Sequence, residues 1–112
     1  MDTYTTEFLK NYDVSSVDVT DQIISITFED SDKTLVLEAL ADCCGHAYFE
    51  KIDDLDNLSG QRIKDIDWGD TKYINDVDHS VVSITTNDTT LTVYLCCNHN
   101  GYYPGFLRIS LN

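Results

Sequence analysis

Apolar and polar side chains alternate over two long segments of this chain, and this pattern constrains the fold more than any other feature of the sequence. In "IISITF" (residues 23–28) and "TLVLEALA" (34–41), apolar residues occupy every second position. A period of two places the apolar side chains on one face of a β-strand. The segment "EDSDK" between them has the Asp and Ser residues that are typical of turns. The two segments therefore predict a β-hairpin.

The same unit occurs again in the second half of the sequence. "VVSIT" (residues 81–85) repeats "IISIT", and a polar turn and a second alternating segment, "LTVYL" (91–95), follow it. Each unit then continues with a "CC-x-H" tetrapeptide and an aromatic cluster. These matches predict an internal duplication with residues 23–50 and 81–106 as its copies. Two copies favour a pseudo-symmetric domain over a solenoid, which needs at least three repeats.

The remaining segments complete a single domain, residues 1–112. "TTEFLKNY" predicts a short amino-terminal helix, and "DDLDNLSG" predicts one helical turn that ends at Gly60. "QRIKDIDW" and "PGFLRISLN" predict further strands, and alternation in the first of these puts Ile66 and Trp68 on the face opposite to Ile63. The sequence predicts a mainly β (α+β) fold: one compact antiparallel domain of about seven strands with one or two short helices.

The charge of the chain restricts its partners. Twenty acidic residues against seven basic ones give a net charge of −13. This charge argues against direct contact with nucleic acid, because phosphate binding needs Lys and Arg, and it also argues against anionic membrane surfaces. No apolar run approaches the roughly 20 residues of a membrane-spanning helix, and the amino terminus lacks the pattern of a secretory signal. We expect a cytoplasmic protein whose charge either confers solubility or attracts a protein with a basic surface.

The region from Asp65 to Asp78 combines carboxylates with aromatic rings. Aromatic side chains are enriched in protein interfaces, and charge there helps to select the partner. Rings beside the carboxylates are not needed for solubility alone, so this region is our candidate contact surface. The predicted partner-binding residues are Asp65, Asp67, Trp68, Asp70, Tyr73, Asp76 and Asp78. The sequence leaves open whether the carboxylates mimic a nucleic acid or only keep the protein soluble.

All four cysteines and two of the three histidines lie in "CCGH" (residues 43–46) and "CCNH" (96–99). A zinc site would take one cysteine and one histidine from each tetrapeptide, which gives the ligand types of a tetrahedral site. Its ligands would be Cys43, His46, Cys96 and His99. A zinc-stabilised structural module is therefore our alternative function.

Reduced cysteines that are buried at strand ends are the simpler interpretation of the two tetrapeptides, because cysteine is among the most often buried residues. The second cysteine of each pair also has no role in the zinc site. A disulfide between Cys43 and Cys96 is a minor alternative, and a bond between adjacent cysteines would be strained. A cysteine nucleophile needs a thiolate, a base and an oxyanion pocket, and the spacing specifies none of these. We therefore predict no cofactor and no enzymatic activity.

The segment "ADCCGHAYFE" has a pattern of its own: a small and an acidic residue, two cysteines, a short spacer, then an aromatic pair and a glutamate. Its residues are Ala41, Asp42, Cys43, Cys44, Gly45, Tyr48, Phe49 and Glu50. This pattern resembles that of an uncharacterised domain family found largely in bacteriophages and large viruses. The later segments "NLSGQRIKDI" and "NGYYPGF" are also similar to segments of that family. The resemblance implies a small viral accessory domain and supplies no activity, cofactor or catalytic residue.

Charge and resemblance together predict a function for the protein. We expect a small acidic viral accessory protein in the cytoplasm of the host cell, where it binds a host protein with a basic surface. An inhibitor of a nucleic-acid-handling or defence enzyme is the form of this function that the acidic region favours.

Overall fold

Eight strands in two antiparallel sheets make up most of the protein in a computed structural model, which describes residues 1–41, 45–98 and 105–112. In chain order the elements are α1 (Thr3–Leu9), β1 (Val14–Val19), β2 (Ile23–Phe28), β3 (Thr34–Leu40), β4 (His46–Lys51), a 3-10 helix (Leu55–Leu58), β5 (Ile63–Ile74), β6 (Val77–Thr86), β7 (Thr90–Asn98) and β8 (Phe106–Leu111). The mainly β fold is confirmed, with one strand more than the seven that the sequence predicts.

The two predicted hairpins occupy the centres of the two sheets. The strand orders are β1-β2-β3-β8 in the first sheet and β4-β7-β6-β5 in the second. Burial alternates along β2 and β3, as the sequence predicts, and Ile24 and Leu37 are fully buried. Val82 and Val93 are their buried counterparts in the second sheet, and all four side chains belong to one apolar cluster. The inner faces of both sheets therefore form a single core.

Each hairpin sends its next strand to the other sheet. β4 follows the β2–β3 hairpin along the chain but pairs with β7, whereas β8 follows the β6–β7 hairpin but pairs with β3. The two sheets consequently have corresponding strand orders, because β1, β2 and β3 have the same relative positions as β5, β6 and β7, and β8 and β4 lie beside β3 and β7 respectively. The duplication of residues 23–50 and 81–106 remains a prediction about origin that this correspondence does not test.

A bulge at the start of β5 corrects one prediction about its faces. Ile63 pairs with Thr86, but Asp65 pairs with the neighbouring Thr85, so one residue of β5 is extra. A bulge of this kind reverses the phase of the alternation. Ile63 and Ile66 are both buried as a result, and the prediction that they lie on opposite faces is wrong.

Both predicted helical segments are present, but α1 begins two residues before and ends three residues before the predicted segment "TTEFLKNY". The Asp2 carboxylate accepts a hydrogen bond of 2.7 Å from the Thr5 backbone N–H at the start of α1. Asp54 caps the 3-10 helix in the same manner, and the chain leaves this helix through Gly60 at φ +81°. The left-handed conformation at Gly60 carries no strain because glycine has no Cβ. No helix in the described residues has the length and apolar character that crossing a membrane requires.

Candidate functional site

The end of the β5–β6 hairpin extends beyond the core, and we call residues 65–78 the arm. Every residue from 67 to 76 is exposed, so neither face of this part of the hairpin is covered. Asn75 and Asp76 form its two-residue turn, with φ values of 52° and 66°. Two successive positive φ values are typical of a type I′ turn, which matches the natural twist of a hairpin. A second register shift lies between Gly69 and Lys72, where Asp70 has a φ of 52°. The arm is thus a bulged hairpin end whose residues 67–76 are exposed.

Exposed apolar side chains lie on both faces of the arm. Trp68 is 38% exposed and Tyr73 is 60% exposed, and they lie opposite Val82 and Asp78 on the face that continues the core. Ile74, 43% exposed, lies on the other face. Isolated exposed rings are ordinary, but several large apolar side chains on one projecting hairpin are a feature of interaction surfaces.

Carboxylates surround these apolar side chains. All seven predicted contact residues lie on the arm, which has five aspartates and one lysine. The Tyr73 hydroxyl donates a hydrogen bond of 3.4 Å to Asp76. Partial desolvation of the hydroxyl, and then the negative charges of Asp76 and Asp78, raise the pKa of Tyr73 above its usual value. The structure places these residues together, and whether they contact a partner stays a prediction.

The two cysteines of β7 have different surroundings, because adjacent residues of a strand point to opposite faces. Both are buried, as the simpler interpretation of the tetrapeptides predicts. A Cβ atom on Gly45 would lie 3.4 Å from Cys97 Sγ, and one on Gly105 would lie 2.9 Å from Cys97 Cβ. Cys97 therefore lies next to Gly45, before β4, and next to Gly105, before β8. Cys96 points to the outer face of the second sheet.

On that outer face, polar side chains from the two neighbouring strands surround Cys96. Tyr48 of β4 and His79 of β6 lie directly opposite it. Glu50, two residues beyond Tyr48, places its Oε2 atom 3.5 Å from Cys96 Sγ and 3.7 Å from His79 Nε2. We call Glu50, His79 and Cys96 the outer-face cluster. Among the described residues it is the group of His, Cys, Asp and Glu side chains whose ligand atoms converge, all lying within 4.8 Å of one another.

The electrostatics of the cluster keep the thiol protonated. Burial, and then the hydrogen bond to Glu50 and its charge, raise the pKa of Cys96 to about 12. Burial, Cys96 and Glu50 also raise the pKa of Tyr48. The thiol and the imidazole of His79 approach the same carboxylate oxygen, so the carboxylate does not orient the imidazole toward the sulfur as in a catalytic triad. A protonated thiol in this arrangement is a poor nucleophile.

The zinc site predicted from the two tetrapeptides falls only partly within the described residues. Cys43 and His99 lie outside them. His46 is exposed at the start of β4, opposite Asn98, and its ring stacks on Tyr48 with 5.5 Å between centroids. Cys96 instead meets Glu50 and His79, which the sequence reasoning missed. No local sequence motif indicates that Glu50 and His79 lie beside Cys96. Strand register alone brings these residues together, and they are 17 to 46 positions apart in the sequence.

Comparison with known proteins gives the relationships of the chain. "Uncharacterized protein L278" of Acanthamoeba polyphaga mimivirus is 30% identical over 100 residues, which cover 77% of this chain and 75% of that protein. The expected relationship to large-virus proteins is thereby confirmed, whereas that to bacteriophage proteins stays a prediction. No solved structure matches the chain. The family model described as a domain of unknown function, DUF7448, matches residues 7–107, and the chain therefore belongs to this family.

Proposed function

We propose that this protein is a non-catalytic viral accessory protein that binds a basic surface of a host protein through its arm. The observation that carries the proposal is the run of exposed residues from 67 to 76, which holds Trp68 and Tyr73 between carboxylates. Aromatic anchors with a charged surround are the usual composition of a protein contact. Cytoplasmic action in the host and inhibition of a nucleic-acid-handling or defence enzyme belong to the same proposal.

The charge of the arm supports a basic partner. Its five aspartates and one lysine leave it at −4 within a chain of net charge −13. Complementary charge raises association rates by about 10- to 1,000-fold and weakens as salt screens it. The rings would then provide the buried contacts that set the dissociation rate. Removal of the charges should thus slow association, whereas removal of the rings should speed dissociation.

Two arm variants and one matched control test the proposal. Trp68→Ala/Tyr73→Ala removes the rings, and Asp65→Asn/Asp67→Asn/Asp70→Asn removes three charges. The control removes three exposed charges on the first sheet or its loops, at Asp18, Asp21 and Glu29, as the amides. Each protein is immobilised and exposed to host-cell lysate, and retained proteins are quantified by mass spectrometry at several salt concentrations. Affinity for the purified candidate is then measured.

We expect a partner that is retained by the wild-type chain and the control, and lost with both arm variants. The charge variant should slow association by about tenfold, and the effect should shrink at high salt. Equal retention by the two arm variants and the wild-type chain would refute the arm as the contact surface. Equal losses of binding in the charge variant and in the control would show that the net charge of the chain, and not the position of the charges on the arm, determines binding.

A further inference from the structure

Three neighbouring strands bring three metal-binding side chains together on the outer face of the second sheet. Glu50 comes from β4, Cys96 from β7 and His79 from β6, and the order of these strands is β4-β7-β6. We propose that the outer-face cluster binds one zinc ion through Glu50 Oε2, His79 Nε2 and Cys96 Sγ. This inference does not depend on the function proposed for the arm.

Two of the three distances within the outer-face cluster match the edges of a tetrahedral zinc site, and all three are within 4.8 Å. Zinc lies about 2.3 Å from a thiolate sulfur and about 2.0–2.2 Å from an imidazole nitrogen or carboxylate oxygen. A tetrahedral angle then separates sulfur and oxygen by about 3.6 Å, and nitrogen and oxygen by about 3.4 Å. The measured separations are 3.5 Å from Cys96 Sγ to Glu50 Oε2 and 3.7 Å from His79 Nε2 to the same oxygen. Small side-chain adjustments suffice to admit the ion.

The surroundings of His79 prepare its Nε2 atom for a metal. Its Nδ1 atom lies 3.0 Å from the Val77 carbonyl oxygen, so Nδ1 carries the proton and donates it there. This hydrogen bond leaves the Nε2 lone pair available on the side of Glu50 and Cys96. Donation from the second ring nitrogen to a carbonyl is the usual support of a metal-bound histidine. The ring of Tyr94, edge-on to His79 at 5.3 Å, further restricts the imidazole.

The ligand chemistry selects zinc over the alkaline-earth cations. A thiolate and an imidazole are softer ligands than the oxygens that magnesium and calcium prefer. Binding breaks the S–H bond of Cys96, releases its proton to solvent and forms a zinc–sulfur bond. The thiolate and the Glu50 carboxylate then balance the two positive charges of the ion, which suits a half-buried position. Three protein ligands leave the fourth tetrahedral position for water.

Metal titration of the full chain tests the proposal. The protein is freed of metal with a chelator and titrated with Zn²⁺ by calorimetry, and with Co²⁺ by absorption spectroscopy. We expect one ion per chain and a thiolate-to-cobalt charge-transfer band. His79→Gln and Glu50→Gln should each weaken zinc binding by about 100-fold or more, because loss of an outer-shell partner alone costs about 10- to 100-fold. Cys96→Ser should abolish the charge-transfer band.

His46→Gln is the matched control, because His46 is an exposed imidazole on the same face that stacks on Tyr48 but lies outside the cluster. It should leave zinc affinity unchanged. Glu50 is exposed, so its amide variant remains informative even if substitution of the buried Cys96 unfolds the chain. Zinc affinity that survives both His79→Gln and Glu50→Gln would overturn the proposal, as would less than one ion per chain. Loss of binding in His46→Gln with those two variants unaffected would assign the metal to the tetrapeptide histidines instead.

Discussion

Replacement of Gly105 by alanine tests the packing where the chain crosses from the second sheet to β8. A Cβ atom at this position would lie 2.9 Å from Cys97 Cβ and 3.2 Å from the Leu40 carbonyl oxygen. Ordinary contacts between carbon atoms begin at about 3.5 Å. Both neighbours are fixed to the backbone of central strands, so neither can rotate away. The new methyl group therefore forces β8 to move away from β3 and β7.

Overpacking of this kind typically costs about 1–3 kcal/mol of unfolding free energy. For a domain of this size each kcal/mol lowers the melting temperature by about 4 °C, so Gly105→Ala should melt about 4–12 °C below the wild-type chain. Urea unfolding followed by far-ultraviolet circular dichroism measures the free energy. An unchanged m-value would show that the surface exposed on unfolding is the same in both proteins.

Gly69→Ala is the matched control, because a Cβ atom there meets no other atom within 4 Å and the residue lies in β5. Its φ is not in the left-handed region. The same substitution should therefore stabilise the protein by about 0.4–1 kcal/mol, since alanine restricts the unfolded chain. If Gly105→Ala proved as stable as Gly69→Ala, the close approach between Gly105 and Cys97 would be refuted.

Three further predictions concern Cys96, Asp53 and the exchanged strands. With a pKa of about 12, about one Cys96 thiol in 10⁴ is ionised at pH 8. Peptide mapping should therefore show that Cys96 of the folded protein is alkylated about 1,000-fold more slowly than Cys96 of the protein unfolded in urea. Equal alkylation rates in the two states would contradict the burial of Cys96. The Asp53 carboxylate accepts hydrogen bonds of 2.8 and 3.0 Å from Thr92. Asp53→Ala should therefore lower the free energy of unfolding in urea by about 1–3 kcal/mol, and Asp53→Asn should lower it by less. Equal losses in the two variants would contradict the role of the carboxylate. Fragments 1–53 and 54–112 should each lack β-structure and regain it on mixing, because each needs a strand from the other; a separately folded fragment would contradict this.

The sequence predicts the hairpins because alternation is a local signal that the chain obeys where no bulge intervenes. It fails at β1, where Val14 and Val17 are three positions apart, since a register shift separates Val14 from Ser16. It fails again at β5, where the bulge brings Ile63 and Ile66 to the same face. The position of a bulge depends on how the strand pairs with its partner, so the sequence of one strand does not predict it.

Long-range pairing limits the prediction of the site in the same way. The arm could be chosen from sequence because its carboxylates and rings are contiguous. The outer-face cluster could not, because Glu50, His79 and Cys96 lie on three strands and meet only through register. Cys96 carried a local signal, the repeated tetrapeptide, but that signal pointed to His46 and His99. The pairing of β7 with β4 on one side and with β6 on the other gives Cys96 its actual neighbours.

Corresponding strands of the two sheets differ in length, and the difference lies in the arm. β1 and β2 have six residues each, whereas their counterparts β5 and β6 have twelve and ten. The extra length is the arm, whose residues 67–76 are all exposed and lie outside the apolar cluster. Ordering those residues costs conformational entropy, and their exposed side chains offset little of it. The departure from symmetry therefore falls on the same residues as the acidic and aromatic composition, and both observations support the proposal that the arm is a contact surface.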